Sequence, residues 1–365
     1  MGGIPPITDD EWTRVQKALA DNAGNISHAA KALGIPRQTL QSRIKARSDF
    51  PDGLAIRGTS TLYGPNGDVR LTWVKTREEP LSIDEIASQV REALDEYEPP
   101  QVFPVAPTQV DSDLATLYPL VDWHVGLRSW KKETGHNYDL KIAQTTIKTA
   151  MTRLLSVAPN SSQAVILGLG DLMHSDNYDN MTSRSKNILD VDGRYPRVLS
   201  TATQLVIFTV DLALQKHETV LLRILPGNHD DQSAIAVTLA LSLYYQNNLR
   251  VTVDDDAGRF WWWVWGKVFL GATHGDKAKM KDLPIIMAAR NPEAWGKTKF
   301  RHTFTGHIHR DSCIEIGGVT VESLRTPVAP DSYSIGMGFD SGRAVQAITY
   351  HKDQGEIMRQ KVNIV

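Results

Sequence analysis

The chain has 365 residues, 41% hydrophobic and 22% charged, which excludes a disordered or collagen-like polymer and leaves room for one main domain with smaller accessories. Lys and Arg number 40 against 42 Asp and Glu, a formal charge of -2, so bulk charge cannot hold the molecule on a polyanion and any such contact must come from a local patch. A single cysteine, Cys313, excludes an intramolecular disulfide and a thiolate metal cluster.

No run reaches the roughly 18 uncharged apolar residues that a membrane helix needs, and the start, MGGIPPITDDEW, lacks a signal-peptide profile and has Pro6 where a myristoylation signal wants Ser or Thr. The expected location is the cytoplasm.

Residues 8–47 predict three short helices. Trp12, Val15 and Leu19 recur at helical spacing behind an acidic first turn, which suits the helix dipole. The second helix starts near Asn25, shows Ile26, Ala29, Ala30 and Leu33 on one face, and closes at Gly34. The third opens at Pro36 and turns Leu40 and Ile44 inward. Residues 28–48 hold Lys31, Arg37, Arg43, Lys45 and Arg47 and no acid, a patch able to offset phosphate charge. The segment GNISHAAKALGIPRQTLQSRIK resembles the Fis-type helix-turn-helix family. That resemblance implies DNA as a partner, with Arg37, Gln38, Thr39, Gln41 and Arg43 facing a groove or phosphates and Lys31 and Lys45 on the backbone.

Residues 54–75 alternate in strand fashion around Gly64-Pro65-Asn66-Gly67-Asp68, a hairpin signal. Ser82-Ile83-Asp84-Glu85 is a capping box, followed by Ile83, Ile86, Val90, Leu94 and Tyr97 on one helical face. With eight acids and one Arg between Glu78 and Glu98, that helix would repel DNA. Pro99, Pro100, Pro104 and Pro107 form a semi-rigid linker. The expected division is therefore a helix-turn-helix at 1–50, a hairpin, acidic helix and linker at 51–112, and a larger domain at 113–365.

From about residue 114 short apolar strands alternate with helical stretches. Strands are predicted at 116–121, 164–169, 220–225, 260–272 and 302–306, with later ones at 318–326 and 343–350, and helices near 139–157, 197–217 and 233–246. This is an α/β pattern. The first five strands each end in a polar cluster: Asp122-Trp123-His124, Gly170-Asp171, Gly227-Asn228-His229-Asp230, His274-Gly275-Asp276 and Gly306-His307-Ile308-His309. Six of the eleven histidines lie in or just beyond these clusters. Imidazole and carboxylate together suit Mn²⁺, Fe²⁺, Zn²⁺ or Mg²⁺. Residues two apart on an extended strand point the same way, so Asp122 with His124, and His307 with His309, are expected to reach one side of a site.

In this order, D-x-H, GD, GNHD, H-GD and GHxH resemble the calcineurin-like metallophosphoesterase superfamily over residues 116–310. The resemblance implies a four-layer αββα sandwich and two divalent ions, Mn²⁺ being the expected one. Asp122, His124 and His309 would bind one ion and Asn228, His274 and His307 the other, with Asp171 bridging. His229 would protonate the leaving oxygen, with Asp230 orienting it. Gly170-Asp171-Leu172-Met173-His174 resembles the second motif of the Mre11/SbcD nucleases, which implies that His174 assists.

Two ions would lower the pKa of an attacking water and neutralise an anionic phosphodiester. The expected function is a DNA nuclease tethered by its N-terminal module. The alternatives are a phosphatase or cyclic-nucleotide diesterase acting on small molecules, and a DNA-binding regulator with a structural metal. The combination resembles proteins carried by bacteriophages, and the sequence leaves room for a homo-oligomer. Phe260-Trp261-Trp262-Trp263-Val264-Trp265 is read as strand packing rather than base stacking. His28, His136, His217, His302 and His351 are expected at the surface or satisfied in the core, and Cys313 as a small core residue.

Overall fold

The computed structural model describes residues 9–22, 25–47, 54–63, 69–78, 106–182 and 185–365. The expected acidic helix, the hairpin tip and most of the proline-rich linker lie outside the described residues. The chain divides into two units, Met1–Ser82 and Ile83–Val365.

In the first unit α1 (Asp9–Asp21), α2 (Ile26–Leu33) and α3 (Arg37–Arg47) follow one another through short turns. The Asn25 side chain accepts from the backbone amides of Ser27 and His28 at 3.0 and 3.2 Å, satisfying two amides that the first turn leaves without partners. Gly34 ends α2 in the left-handed region at φ 67°, as a helix C-terminus commonly requires. Val15 and Ala18, Ala29 and Ala30, and Leu40 then meet in one small core. β1 (Leu54–Tyr63) pairs antiparallel with β2 (Val69–Glu78), the hairpin expected from the Asn-Gly signal.

The second unit runs β3 (Asp111–Leu120), α4 (Lys131–Thr134), α5 (Leu140–Val157), β4 (Ser161–Gly168), α6 (Tyr195–Ala213), β5 (His217–Ile224), α7 (Ser233–Tyr245) and β6 (Val251–Asp254). It continues with β7 (Trp261–Trp265), β8 (Val268–Ala272), α8 (Leu283–Arg290), α9 (Pro292–Lys297), β9 (Phe300–Thr305), β10 (Ser312–Ile316), β11 (Val319–Ser323), α10 (Ser332–Gly336), β12 (Arg343–His351) and β13 (Gly355–Ile364). Six strands form one sheet in the order β13-β12-β3-β4-β5-β6, and five form another in the order β10-β11-β9-β8-β7. β3 to β6 are mutually parallel, and their crossovers place helices over the sheet.

Four layers result. Leu117, Val165 and Leu167 of the first sheet pack face to face with Leu270 and Phe304 of the second, all buried in one core. α5 covers β12 and β13, and α6 and α7 cover β5 and β6 on the outer face of the first sheet. α8 and α9 cover the second sheet, where Leu283 and Met287 meet Phe269, Val319 and Val321. The fold is thus an α/β sandwich of two sheets between helices, with the helix-turn-helix ahead of it. No helix among the described residues is long and apolar enough to cross a membrane.

The strand expected over 260–272 is two strands, β7 and β8, turned at Gly266. Gly266 has φ 55°, and a Cβ there would lie 2.5 Å from the carbonyl oxygen of Lys352, so only glycine makes this turn without displacing the turn that follows β12. Period-two alternation divides the aromatic run: Trp261, Trp263 and Trp265 face the core between the sheets, while Phe260 and Trp262 face α8 and α9. Cys313 is exposed, contrary to the core position expected of it. It lies on β10, an edge strand of the second sheet.

His217 and His302 are satisfied core histidines. His302 Nε2 lies 3.1 Å from Glu322 Oε2. His217 sits between the Tyr118 hydroxyl (2.8 Å) and Ser161 Oγ (2.7 Å), and burial pushes its pKa down to about 3. Its folded-state pKa therefore lies below the ordinary value of about 6.5, so the unfolded chain binds the proton first. The stability that His217 contributes is complete above about pH 6.5 and is lost as pH falls toward the folded-state value, by an amount on the order of a few kcal/mol. Urea midpoints measured between pH 7 and 4 should fall less steeply in His217→Gln than in the wild type; parallel curves would refute this.

Candidate metal centre

Strand direction brings the polar clusters to common ends of the sheets. β3, β4 and β5 run parallel and end at Leu120, Gly168 and Ile224, just ahead of Asp122, Asp171 and Asn228. β8 and β9, also parallel, end at Ala272 and Thr305, just ahead of His274 and His307. Such strand ends are where open α/β sheets build sites.

The local route differs from the expected pleat. Asp122, His124, Asp171, His307 and His309 all lie in the left-handed region, at φ 44°, 38°, 51°, 68° and 55°. Strand alternation therefore does not aim these pairs; a left-handed residue on either side of Trp123 and of Ile308 does. Asp and His tolerate this region better than most residues, yet each instance costs about 1–3 kcal/mol. Among the described residues only Asn180 and Lys186 share it outside glycine, so the strain is concentrated on the metal-ligand candidates. Gly227 makes the closest approach: a Cβ there would lie 2.0 Å from Asp171 Oδ1, so the third cluster can rest against the second only if this residue has no side chain.

Three groups of ligand atoms come together, His124, His174 and His229 forming one without a carboxylate and the other two each containing one. Asp122, His124 and His309 form one group, and Asp171, His274 and His307 another, the atoms of each lying within 4.8 Å of one another. Asn228 joins the second, its Oδ1 3.0 Å from His274 Nε2. Asp171 Oδ2 is 3.1 Å from His274 Nε2 and 3.9 Å from His124 Nε2, so this carboxylate stands between the sets. All seven metal-ligand candidates thus converge.

The electrostatics follow from burial and from the crowding of like groups. Burial, against the pull of His274 and with the push of Asp171, holds the Asp122 carboxyl well above the usual range. Burial also works against Asp171, but His274, His229 and His124 keep it well below. Burial pushes His124 well down, lowers His307, and brings His309 to about 4 and His174 to about 3. His274 rises to about 10 despite burial, because Asp171 and Asp122 face it.

His124 Nε2 and His309 Nε2 lie only 3.0 Å apart, and Asp122 Oδ1 is buried with no hydrogen-bond partner. Buried polar atoms left so are costly. A divalent cation accepts the imidazole lone pairs and the bare carboxylate oxygen together and offsets the like-charge repulsion, so the donor set fits one. His274 Nδ1 lies 2.8 Å from the Leu169 carbonyl oxygen, an acceptor that fixes the proton on Nδ1 and leaves Nε2 as the ligand atom, the usual support for a coordinating histidine.

His229 is held differently. Its backbone amide donates to Asp171 Oδ1 at 2.8 Å, and its Nδ1 lies 2.9 Å from the His174 carbonyl oxygen. Nδ1 is therefore the donor, and His229 also offers a ring nitrogen within 4.8 Å of those of His124 and His174. The His174 ring stacks on His229 at 5.2 Å. Asp230, expected beside the His229 ring, instead accepts from the backbone amides of Asp171 (3.1 Å), Gly227 (2.9 Å) and Met173 (3.1 Å), bracing two clusters against each other. Burial, reinforced by Asp171, raises it to about 7.

Two residues were not legible as site residues. Asp331 acts electrostatically on His174 and His309, and Thr326 Oγ1 donates to the Asp122 carbonyl at 2.6 Å. Both follow the last motif; the only sequence cue for Asp331 is that it precedes Ser332-Tyr333-Ser334, a helix start, and its carboxylate does accept from Ser334 N at 2.8 Å. In the first unit Arg37, Gln38 and Gln41 are exposed and Thr39 and Arg43 half-buried; the side chain of Lys45 lies outside the described ones.

Residues 11–46 match the family described as bacterial regulatory protein, Fis family. The N-terminal unit carries a Fis-type helix-turn-helix. Curated proteins give no significant match to the chain. Among solved structures it is similar to a conserved uncharacterized protein of Streptococcus pneumoniae, a predicted phosphoesterase, at 9% identity and TM-score 0.29, covering 70% of this chain and 100% of that one. It is also similar to an archaeal phosphodiesterase, at 12% identity and TM-score 0.32 over 68% and 99% of the two chains. A third is Vps29 of Entamoeba histolytica complexed with zinc, at 12% identity and TM-score 0.28 over 68% and 98%.

Proposed function

We propose that the second unit is a two-metal phosphodiesterase acting on DNA and that the Fis-type module tethers it to its substrate, raising the local concentration. The observation that carries this reading is the convergence of Asp122, His124, Asp171, Asn228, His274, His307 and His309 from five strand ends, with Asp171 between two ligand sets.

Asp122, His124 and His309 would hold one ion and Asn228, His274 and His307 the other, with Asp171 shared; bound there, the ions would polarise the phosphoryl group and make water nucleophilic near neutral pH. The chain supplies the rest. His229, anchored through Nδ1, presents Nε2 to protonate the leaving oxygen. Asp230 fixes Asp171 and Met173 through their amides, and His174 backs the His229 ring. Arg37, Gln38, Thr39, Gln41, Arg43 and Lys45 would contact duplex DNA from the other unit.

The test is chelator-treated full-length protein given Mn²⁺, Mg²⁺, Fe²⁺ or Zn²⁺ in turn, with end-labelled linear DNA, circular DNA and nitrophenyl phosphate as substrates. Cleavage of DNA restored by at least one ion is expected, Mn²⁺ foremost. Turnover of nitrophenyl phosphate with both DNAs intact would move the reading to a small-molecule phosphatase.

A further inference from the structure

Two segments bordering the ligand cluster carry large aromatic side chains that the fold does not bury. Trp130, just before α4, is 59% exposed, and Tyr333, on α10, is also 59% exposed. α10 packs against α4. Ser129 Oγ donates to the Pro330 carbonyl at 2.7 Å, and Ser332 Oγ lies 3.1 Å from Asp190 Oδ2, so both aromatics rise from a fastened base. That base adjoins the cluster: Trp130 lies six residues after His124, and Asp331, next to Ser332, acts on His174 and His309.

Charge accompanies the rings. Arg128, Lys131 and Lys132 are exposed, and Lys132 Nζ lies 5.5 Å from the centre of the Trp130 ring. Arg128, Trp130 and Ser332 line a small hollow of about 100 Å³ whose acids are Glu133 and the Ser332-bound Asp190. The aromatic run of β7 is packed against the two cores, whereas Phe339, Tyr178 and Tyr244 are, like Trp130 and Tyr333, exposed. An exposed ring with a cation over one face and others beside it complements an unpaired nucleotide, which offers a π face to the open side and a charge one phosphate away. Duplex DNA keeps those faces stacked.

We infer that Trp130 and Tyr333 form a stacking shelf for unpaired bases, with Arg128, Lys131 and Lys132 against the adjoining phosphates, so that the phosphodiesterase takes single-stranded nucleic acid or unpaired ends. The inference rests on the function proposed above and narrows its substrate.

The experiment compares binding of full-length protein to fluorescein-labelled oligo(dT) and to an abasic oligomer of equal length, by anisotropy in chelator. The two present the same phosphates and differ only in bases. Wild type should bind oligo(dT) about tenfold or more tightly, Trp130→Ala and Tyr333→Ala should each lose most of that preference, and Trp130→Phe should keep most of it. Both rings are exposed, so the variants retain the core. An undiminished preference in both alanine variants overturns the shelf. Equal binding of the two oligomers by wild type, alongside cleavage of oligo(dT) in Mn²⁺, also overturns it and leaves the phosphodiesterase reading standing. Absence of cleavage with all four ions overturns that reading, and the shelf's role in substrate with it.

Discussion

Asp171→Asn is expected to reduce metal-dependent hydrolysis by at least about 10³-fold, the consequence of removing several kcal/mol of charge stabilisation at one point. The same change should also destabilise the chelated protein, though by less than the loss of a full buried ion pair. Three carboxylates, Asp122, Asp171 and Asp230, are buried together, and Asp171 pushes both of the others up. Replacing it by a neutral isostere relieves that repulsion, and its amide oxygen can still accept from the His229 backbone amide, but the buried pair with His274 at 3.1 Å is lost. A residue that merely held the fold would show this loss alone, because breaking a buried paired charge ordinarily destabilises. Thermal unfolding in chelator and in saturating Mn²⁺ separates the two: the rise in midpoint that Mn²⁺ gives the wild type should largely vanish in Asp171→Asn. Hydrolysis within tenfold of wild type, or an undiminished Mn²⁺ shift, would remove Asp171 from the bridging role.

The polar clusters were legible in the sequence because their chemistry admits few residue types and their positions are tied to strand ends, while the assignment of individual ligands within them followed from the family resemblance of their order. Short apolar runs such as Ala164 to Leu169 are expected as interior strands, so the polar residues that follow emerge at an edge, and five such edges converge. What alternation could not supply was the backbone at those edges. Two-residue spacing in Asp122-x-His124 and His307-x-His309 suggests a pleat, whereas both pairs are left-handed turns; spacing is identical in the two geometries, and only the carbonyl and amide partners decide. The hydrogen bond from His307 N to Asp122 Oδ2 at 2.8 Å belongs to tertiary structure and leaves no local mark.

Alternation did resolve the tryptophan run, since period two assigns Trp261, Trp263 and Trp265 to one face whatever lies opposite. It failed at Gly266, where one residue breaks a continuous apolar stretch into a hairpin, and at β6, β10 and β13, which are edge strands. An edge strand buries fewer side chains and so carries a weaker apolar signature: β13 is mostly exposed or half-buried along its length, and β10 carries the exposed Cys313. Asp230 shows the limit for side-chain roles. Its adjacency to His229 suggests a partnership, but its carboxylate turns inward to amides of the second motif.

His229→Asn should lower kcat by about 10²–10⁴-fold on a phosphodiester with an alkoxide leaving group, the range expected when a positioned general acid is removed. The argument is geometric. The His174 carbonyl fixes the hydrogen on Nδ1, so Nε2 is the atom that can carry a proton to substrate, and His229 belongs to neither of the two carboxylate-containing ligand sets. Metal binding should therefore survive the substitution, with the Mn²⁺-induced rise in unfolding midpoint close to that of wild type, in contrast to Asp171→Asn. The leaving group provides the sharper control. Nitrophenolate departs without protonation, so a bis-nitrophenyl phosphodiester should lose far less activity than DNA, and the ratio of the two losses measures the acid contribution directly. An equal loss on both substrates would assign His229 to positioning of the phosphoryl group instead. His174→Ala, which removes the ring stacked on His229 while keeping the backbone carbonyl that holds it, should fall between the His229→Asn variant and wild type on DNA without altering the leaving-group ratio toward either extreme.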